Sequence, residues 1–181
     1  DLFDAKFEVL LYDLTSTYFE CDAPPAGSDG LRRHGYSRDK RPDCVQVVIA
    51  LIVTPDGFPL AYEVMKGNTA DNTTLPQFLK TIEQQYGKAG RIWIMDRGIP
   101  TEETLAQMRA SETPVHYLVG TPKGRLSQLE RSFLGKDWHK AKDNVQVKLH
   151  PVGDELYVLA LSDERVHKER GMRTRKLKKL W

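Results

Sequence analysis

The sequence predicts an α/β fold with a mixed sheet, in which an antiparallel hairpin is combined with parallel strand-helix-strand units. Three observations support this fold class: short apolar runs without Gly or Pro, a turn motif between two extended runs, and amphipathic stretches that alternate with apolar ones. The chain has 181 residues, of which 40% are hydrophobic and 29% are charged. That is enough to bury one ordinary core or at most two small ones.

The first part of the chain is predicted to contain a strand, a long loop and a hairpin. Residues 7–13 form a mostly apolar run, as expected for a strand buried on both faces. Residues 23–43 are rich in Pro, Gly and charged residues, which is typical of a loop. Residues 44–54 and 58–65 are predicted to form a hairpin, because the sequence Pro-Asp-Gly between them is typical of a turn.

Helices and strands are then predicted to alternate. Residues 68–74 offer helix-capping residues, and apolar residues then recur at spacings of three and four from Leu75 to Ile82, which indicates a helix ending near Gly87. A strand over 91–96, a helix opening at Thr101 and a strand over 115–120 follow. This order of elements implies right-handed parallel crossovers.

The C-terminal third is predicted to be built differently. Residues 121–134 are polar and helical in character, whereas 145–150 and 155–161 indicate a second hairpin. The last stretch, 163–181, contains eight Lys or Arg and indicates a cationic helix that is broken or bent near Gly171. We therefore expect a core over 1–122, a β-rich part over 123–162 and a basic helix over 163–181.

Composition excludes several classes of protein. A net charge of +2 is neither that of an acidic disordered chain nor that of a histone-like polycation. The two cysteines lack paired spacing, which argues against a disulfide scaffold and favours a reducing, cytoplasmic location. The most apolar run, 47–53, is shorter than the roughly 20 residues of a membrane-spanning helix, so we expect no membrane partner. The chain begins with Asp1 rather than Met, which suggests an excised piece.

Two aspartates end or interrupt apolar strands. Asp13 and Asp96 are such residues, and a carboxylate is costly to bury there unless it is paired or holds a metal ion. If the first strand lies beside the fourth, the two carboxylates come close together and a divalent cation would offset their repulsion. Mg²⁺, with Mn²⁺ as a substitute, suits such oxygen ligands and can drive phosphodiester chemistry. The alternative is that each Asp only caps a turn or a helix.

Longer motifs surround both aspartates and make the pattern specific. They are Tyr12-Asp13-Leu14-Thr15-Ser16, His34-Gly35-Tyr36-Ser37-Arg38-Asp39-Lys40-Arg41-Pro42-Asp43 followed by Gln46, Gly67-Asn68 with Asp71 and Asn72, and Met95-Asp96-Arg97-Gly98-Ile99. In these motifs the chain resembles the DDE transposases of bacterial insertion sequences, particularly the insertion-sequence-four group. The resemblance implies a ribonuclease H-like catalytic core over 1–122, incomplete in this chain, with a β-rich insertion after the second Asp, over about 123–162.

The resemblance also implies functional roles. Asp13 and Asp96 would be the first two catalytic, metal-binding carboxylates, but the family's third acidic residue, a Glu on a late helix, has no convincing match. We therefore expect a C-terminally truncated catalytic domain with weak or absent activity of its own. The implied partners are DNA, as transposon ends and target, and further copies of the chain in a full-length homo-oligomer.

Basic residues are candidates for DNA contacts. In the long loop they are interleaved with Tyr36, a composition suited to phosphate contacts and to stacking on an unpaired base. The alternatives are a solvated loop, local pairing with Asp39 or Asp43, and, for the residue after the second Asp, a strand cap. The candidates are Arg32, Arg33, Tyr36, Arg38, Lys40, Arg41, Arg97, Lys123 and Arg125.

Three hypotheses of function follow. The first is metal-dependent DNA strand cleavage and strand transfer in transposition. The second is a non-catalytic DNA-binding or assembly fragment. The third is a phosphatase with an aspartyl nucleophile, which is disfavoured because it needs a second Asp two residues after Asp13, where the chain has Thr15.

Overall fold

The computed structural model of the chain describes residues 8–22, 30–70, 73–87, 90–111, 115–121 and 123–180. The chain forms two compact units, Asp1–Thr121 and Pro122–Trp181. Within the described residues, no helix is long and apolar enough to cross a membrane.

The first unit is a five-stranded mixed sheet with two helices. The strands lie in the order β3-β2-β1-β4-β5. β1 pairs antiparallel with β2 and β2 with β3, whereas β1 and β4, and β4 and β5, are parallel. The predicted hairpin and parallel units are thereby confirmed. The elements are β1 (Val9–Phe19), β2 (Val45–Val53), β3 (Pro59–Lys66), α1 (Leu75–Tyr86), β4 (Ile92–Met95), α2 (Glu102–Arg109) and β5 (His116–Val119).

The hydrophobic core lies on one face of this sheet. It contains Leu10 and Tyr12 from β1, Phe78 and Ile82 from α1, and Met108 from α2. Both helices therefore contribute to the same core. The spacing of the buried residues on α1 is the one that the sequence predicted, because positions four residues apart lie on one helix face.

β1 differs from its prediction in length and burial. It continues past Asp13 to Phe19, because the polar residues after Asp13 still alternate between faces and pair with β2 through Phe19 and Val45. Its side chains alternate between buried and exposed, so the expectation of a strand buried on both faces was wrong. The reason is that α1 and α2 contribute to the core on one face of the sheet.

The second unit is a three-stranded antiparallel sheet with two helices. Its strands lie in the order β6-β7-β8, and the predicted hairpin is confirmed by the pairing of β7 with β8. The helix α4 runs through Gly171, so the predicted alternative of a broken helix was wrong: a glycine weakens a helix without necessarily ending it. The elements are α3 (Lys123–Leu134), β6 (His139–Lys142), β7 (Val145–Val152), β8 (Glu155–Ser162) and α4 (Asp163–Lys178).

Candidate active site

The pairing of β1 with β4 brings Asp13 and Asp96 to neighbouring positions. The last register pair of the two parallel strands is Tyr12 with Met95, and each aspartate is the next residue along. Neighbouring strands lie about 4.8 Å apart, so the backbones of Asp13 and Asp96 are adjacent. Residues 83 positions apart in the chain thus meet at one place on the sheet.

Both aspartates have the same local hydrogen bond. Oδ1 of Asp13 accepts from the backbone N–H of Leu14 at 2.8 Å, and Oδ1 of Asp96 accepts from the backbone N–H of Arg97, also at 2.8 Å. Both side chains are exposed. Among the described residues, neither Oδ2 has a hydrogen-bond donor, so one oxygen of each carboxylate is available to a ligand.

The residue before Asp13 fixes its backbone. Tyr12 is 2% exposed, and its hydroxyl donates to Oγ1 of Thr74 at 2.7 Å. Its ring packs on Phe78 and, edge to face, on Trp93. Because the side chains on either side of Asp13 are buried in the core, Asp13 faces away from it. The carboxylate of Asp13 therefore projects from the face of β1 opposite to the core.

The carboxylate oxygens of Asp13 and Asp96 are suitable ligands for a hard cation. Mg²⁺ takes oxygen ligands and is often bound through one or two carboxylates together with water and phosphate oxygens. Within the ranges that the structure describes, no group of three or more His, Cys, Asp or Glu is arranged to hold a metal ion. The described residues therefore offer two adjacent carboxylates at this place.

The basic loop contains a half-buried arginine, Arg41, that is paired with carboxylates rather than free. The Arg41 guanidinium bonds to Oε1 of Glu20 at 2.6 Å and to Oδ2 of Asp43 at 2.9 Å, and it lies over the ring of Tyr18. The hydrogen bonds from Arg41 lower the pKa of Asp43 to about 2, and those two carboxylates raise the pKa of Arg41. Asp43 thus pairs locally with Arg41, one of the alternatives left open by the sequence, and Arg41 joins the loop to the end of β1.

The other candidate DNA contacts of this loop lie around that anchor. Arg32 is exposed, close to the ring of Phe19 and to Sγ of Cys21. Arg33 forms an isolated bridge with Gln46. Tyr36 is 85% exposed. Lys40 is exposed and Arg38 half-buried.

The remaining candidates lie elsewhere. Arg97 is exposed directly after Asp96 and packs beside Gly120. Arg125 lies on α3 in the second unit, where its guanidinium donates to the hydroxyl of Tyr157 at 3.4 Å. Lys123 begins α3, and its side chain lies outside the described part of the chain.

Sequence reasoning assigned no role to Gln46. This side chain is 2% exposed, although it lies in the apolar strand β2. A polar residue inside a Val-rich run is the feature that marks it, because a buried amide needs partners. Its partners belong to other segments of the chain and were not predictable from local patterns.

Comparisons with known proteins identify the family. The Transposase DDE domain family matches residues 16–181. No curated protein matches. The chain is similar to one in the Mos1 transposase paired-end complex with left transposon end, at 11% identity and a TM-score of 0.39, covering 62% of this chain and 34% of that one. It is also similar to one in the piggyBac transposase synaptic complex with hairpin DNA, at 9% identity and a TM-score of 0.48, covering 84% of this chain and 32% of that one.

The family match decides the assignment. The chain spans about a third of the length of the two structural neighbours, whose similarity is distant. The family match, by contrast, covers most of the chain, and the mixed sheet with its parallel units fits the ribonuclease H-like fold of such domains. The chain belongs to the Transposase DDE domain family.

Proposed function

We propose that this chain is part of the catalytic domain of a transposase of the insertion-sequence-four group, which cleaves DNA strands and transfers them to a target. The observation that carries the proposal is the adjacency of Asp13 and Asp96, each one residue beyond the last register pair of β1 and β4. Two exposed carboxylates at one place on a sheet repel each other, and a bound cation would offset that repulsion.

In this proposal Asp13 and Asp96 hold Mg²⁺ or Mn²⁺ through carboxylate oxygens. When bound, the metal supplies a Lewis acid that favours attack of water or a 3′ hydroxyl on a phosphodiester and stabilises the leaving oxygen. The protein supports this by orientation: the backbone N–H groups of Leu14 and Arg97 each hold Oδ1 of the preceding aspartate. The buried Tyr12 keeps β1 in place below Asp13.

The basic residues serve the DNA backbone in this proposal. Arg32, Arg33, Arg38 and Lys40 lie in the loop of the first unit and are suited to phosphate contacts, which position DNA without reading its sequence. Arg41 acts differently, because its guanidinium is engaged by Glu20 and Asp43 and shapes the loop. The further basic contacts proposed are Arg97, Lys123 and Arg125.

Further parts of the proposal rest on the motif residues. A third acidic ligand would come from outside the described residues. Residues 123–162 would be the β-rich insertion of the family. The full-length protein would act as a homo-oligomer in the cytoplasm on transposon ends and target DNA.

Calorimetric titration with Mn²⁺ tests the metal site. We expect wild type to bind Mn²⁺, and Asp13→Asn and Asp96→Asn each to weaken binding at least about tenfold, because a charged oxygen ligand is lost. Asp56→Asn is the matched control, since Asp56 is an exposed aspartate in the turn between β2 and β3. Equal Mn²⁺ affinity in wild type and both site variants would contradict the proposal.

A second candidate function is a non-catalytic DNA-binding or assembly fragment. The observation that favours it is that no three-ligand metal group lies within the described ranges. It would be supported if the wild type bound DNA but no Mn²⁺. The same titration therefore separates the two candidates.

A further inference from the structure

The buried side chain of Gln46 forms hydrogen bonds that attach the basic loop to the sheet. Gln46 lies in β2, where its Nε2 donates to the backbone carbonyl of Gly67 at 2.8 Å and to that of Tyr36 at 3.0 Å. Both protons of the amide group are used on backbone of other segments, and the side chain is 2% exposed. Gln46 thus joins the end of β3 and the loop in one hydrogen-bonded contact.

Close packing of backbone against backbone also holds the loop on the sheet. The backbones of Arg33 and Gln46 exchange two hydrogen bonds of 3.0 and 2.9 Å. A Cβ on Gly35 would lie 2.0 Å from the carbonyl oxygen of Gly67, and a Cβ on Gly67 would lie 2.1 Å from that of Gln46. Only glycine fits at both positions, so the segment before Tyr36 lies directly on the strands.

The side chain carried by this fixed backbone points into solvent. Tyr36 is 85% exposed, more than Tyr62 at 75%. An aromatic ring on a backbone already held by hydrogen bonds loses less conformational entropy when it stacks on a base. Exposed His34 and Lys40 lie two and four residues from Tyr36 in the chain, and a cationic side chain such as that of Lys40 suits contacts to phosphates.

The position relative to the aspartates is set by register. Gln46 pairs with Tyr18, five residues beyond Asp13 on β1. At about 3.4 Å per residue of strand, this is about 17 Å from the candidate metal site. The alternation of side chains also places Gln46, opposite Tyr18, on the core face of the sheet, whereas Asp13 faces away from the core, so the proposed base contact lies away from the candidate metal site.

We propose that Tyr36 stacks on an unpaired base of the bound DNA, and that Gln46 is the positioning residue that holds Tyr36 in place. The proposal deepens the function proposed above and rests on it. It names the substrate class as DNA with an unpaired nucleotide, because an aromatic ring can reach the face of a base only where the base has left the helical stack.

The test uses the whole chain and two synthetic DNAs without divalent metal. One is a blunt duplex, and the other carries a 3′ single-stranded overhang with 2-aminopurine placed at successive positions. We expect Tyr36→Ala to raise the Kd for overhang DNA roughly 5- to 100-fold, the range for loss of one stacked base. Its Kd for the blunt duplex should stay within about twofold of wild type, and Tyr36→Trp should retain overhang binding.

The fluorescence of 2-aminopurine identifies the contact. Wild type should change the fluorescence at one overhang position, and Tyr36→Ala should abolish that change. Tyr62→Ala is the matched control, an exposed tyrosine on β3 whose removal should leave the fluorescence change intact. The proposal is overturned if Tyr36→Ala binds the overhang as wild type does, or if both DNAs lose affinity equally.

Gln46→Met tests positioning, since it keeps the length of the side chain and removes both donors. We expect its Kd for overhang DNA to rise toward that of Tyr36→Ala, with no further rise in the double variant and with blunt-duplex binding retained. Additive losses of affinity in the double variant would contradict the role of Gln46, and the Tyr36 variants decide the stacking claim if Gln46→Met does not fold.

The failure of this inference can be distinguished from the failure of the proposed function. If wild type binds neither DNA, the proposed function fails as well. If Mn²⁺ binding depends on Asp13 but Tyr36→Ala has no effect on DNA binding, only this inference fails.

Discussion

At the scale of single residues, the Arg41 contact carries a measurable pH dependence. Arg41 lowers the pKa of Asp43 from 3.8 to about 2 in the folded chain. A carboxyl whose folded pKa is depressed stabilises the fold above its unfolded pKa, and that contribution is lost as the pH falls through the folded value. The stabilising effect of Asp43 should therefore be complete above about pH 4 and disappear toward pH 2.

This gives a residue-level prediction. The Tm of Asp43→Asn should lie below that of wild type at pH 6, and the difference should shrink as the pH falls from 4 to 2. Thermal unfolding followed by circular dichroism measures this. Asp56→Asn serves as the matched control, because Asp56 is an exposed aspartate in the turn between β2 and β3. A gap between wild type and Asp43→Asn that stays constant would show that Arg41 does not act on Asp43.

Some of these residue contacts could be predicted and others could not. Asp13 and Asp96 were identifiable because each stands out in an apolar run, and their register positions are adjacent. Their catalytic role stays a prediction. The pairing of Arg41 with Glu20 depends on β1 continuing past Asp13, which local composition did not indicate.

At the scale of elements, a buried arginine closes the C-terminal end of α1. Arg91 is 5% exposed and precedes β4. Its guanidinium donates to the carbonyl of Gly87 at 2.7 Å and to that of Tyr86 at 2.9 Å. The carbonyls at the end of a helix generally lack donors within the helix, and a cation there also interacts favourably with the helix dipole.

Arg91→Ala should therefore lower the free energy of unfolding by roughly 1.5–3 kcal/mol, the range for hydrogen bonds to a charged group. Urea unfolding monitored by tryptophan fluorescence measures it, since Trp93 is buried in the adjacent strand. Lys80→Ala, an exposed cation on α1, should change stability by less than about 0.5 kcal/mol. Equal effects of the two substitutions would contradict the capping role.

The elements were more predictable where apolar periodicity is strong. α1 was found from the spacing of Leu75, Phe78 and Ile82, which are all buried. β6 was missed, because its sequence His-Lys-Ala-Lys is polar and exposed and is defined only by pairing with β7. α4 has no buried residue, so its continuity through Gly171 depends on local helix energetics that apolar periodicity does not reveal.

At the scale of the whole molecule, the order of the strands is what creates the candidate site. Periodicity located β1 and β4 separately, but their adjacency is a tertiary property that came from the family resemblance and is seen in the sheet order β3-β2-β1-β4-β5. Each of the two units has its own sheet. The candidate carboxylates and the basic loop both belong to the first.

The most direct test of the central claim is the anomalous diffraction of Mn²⁺ soaked into crystals of the whole chain. We expect an anomalous peak for Mn²⁺ within about 2.6 Å of one carboxylate oxygen of Asp13 and one of Asp96, with water completing the coordination. The peak should vanish in Asp13→Asn crystals soaked in the same way. A well-occupied peak that touches only one of the two carboxylates, or carboxylates that diverge in the soaked crystals, would contradict it.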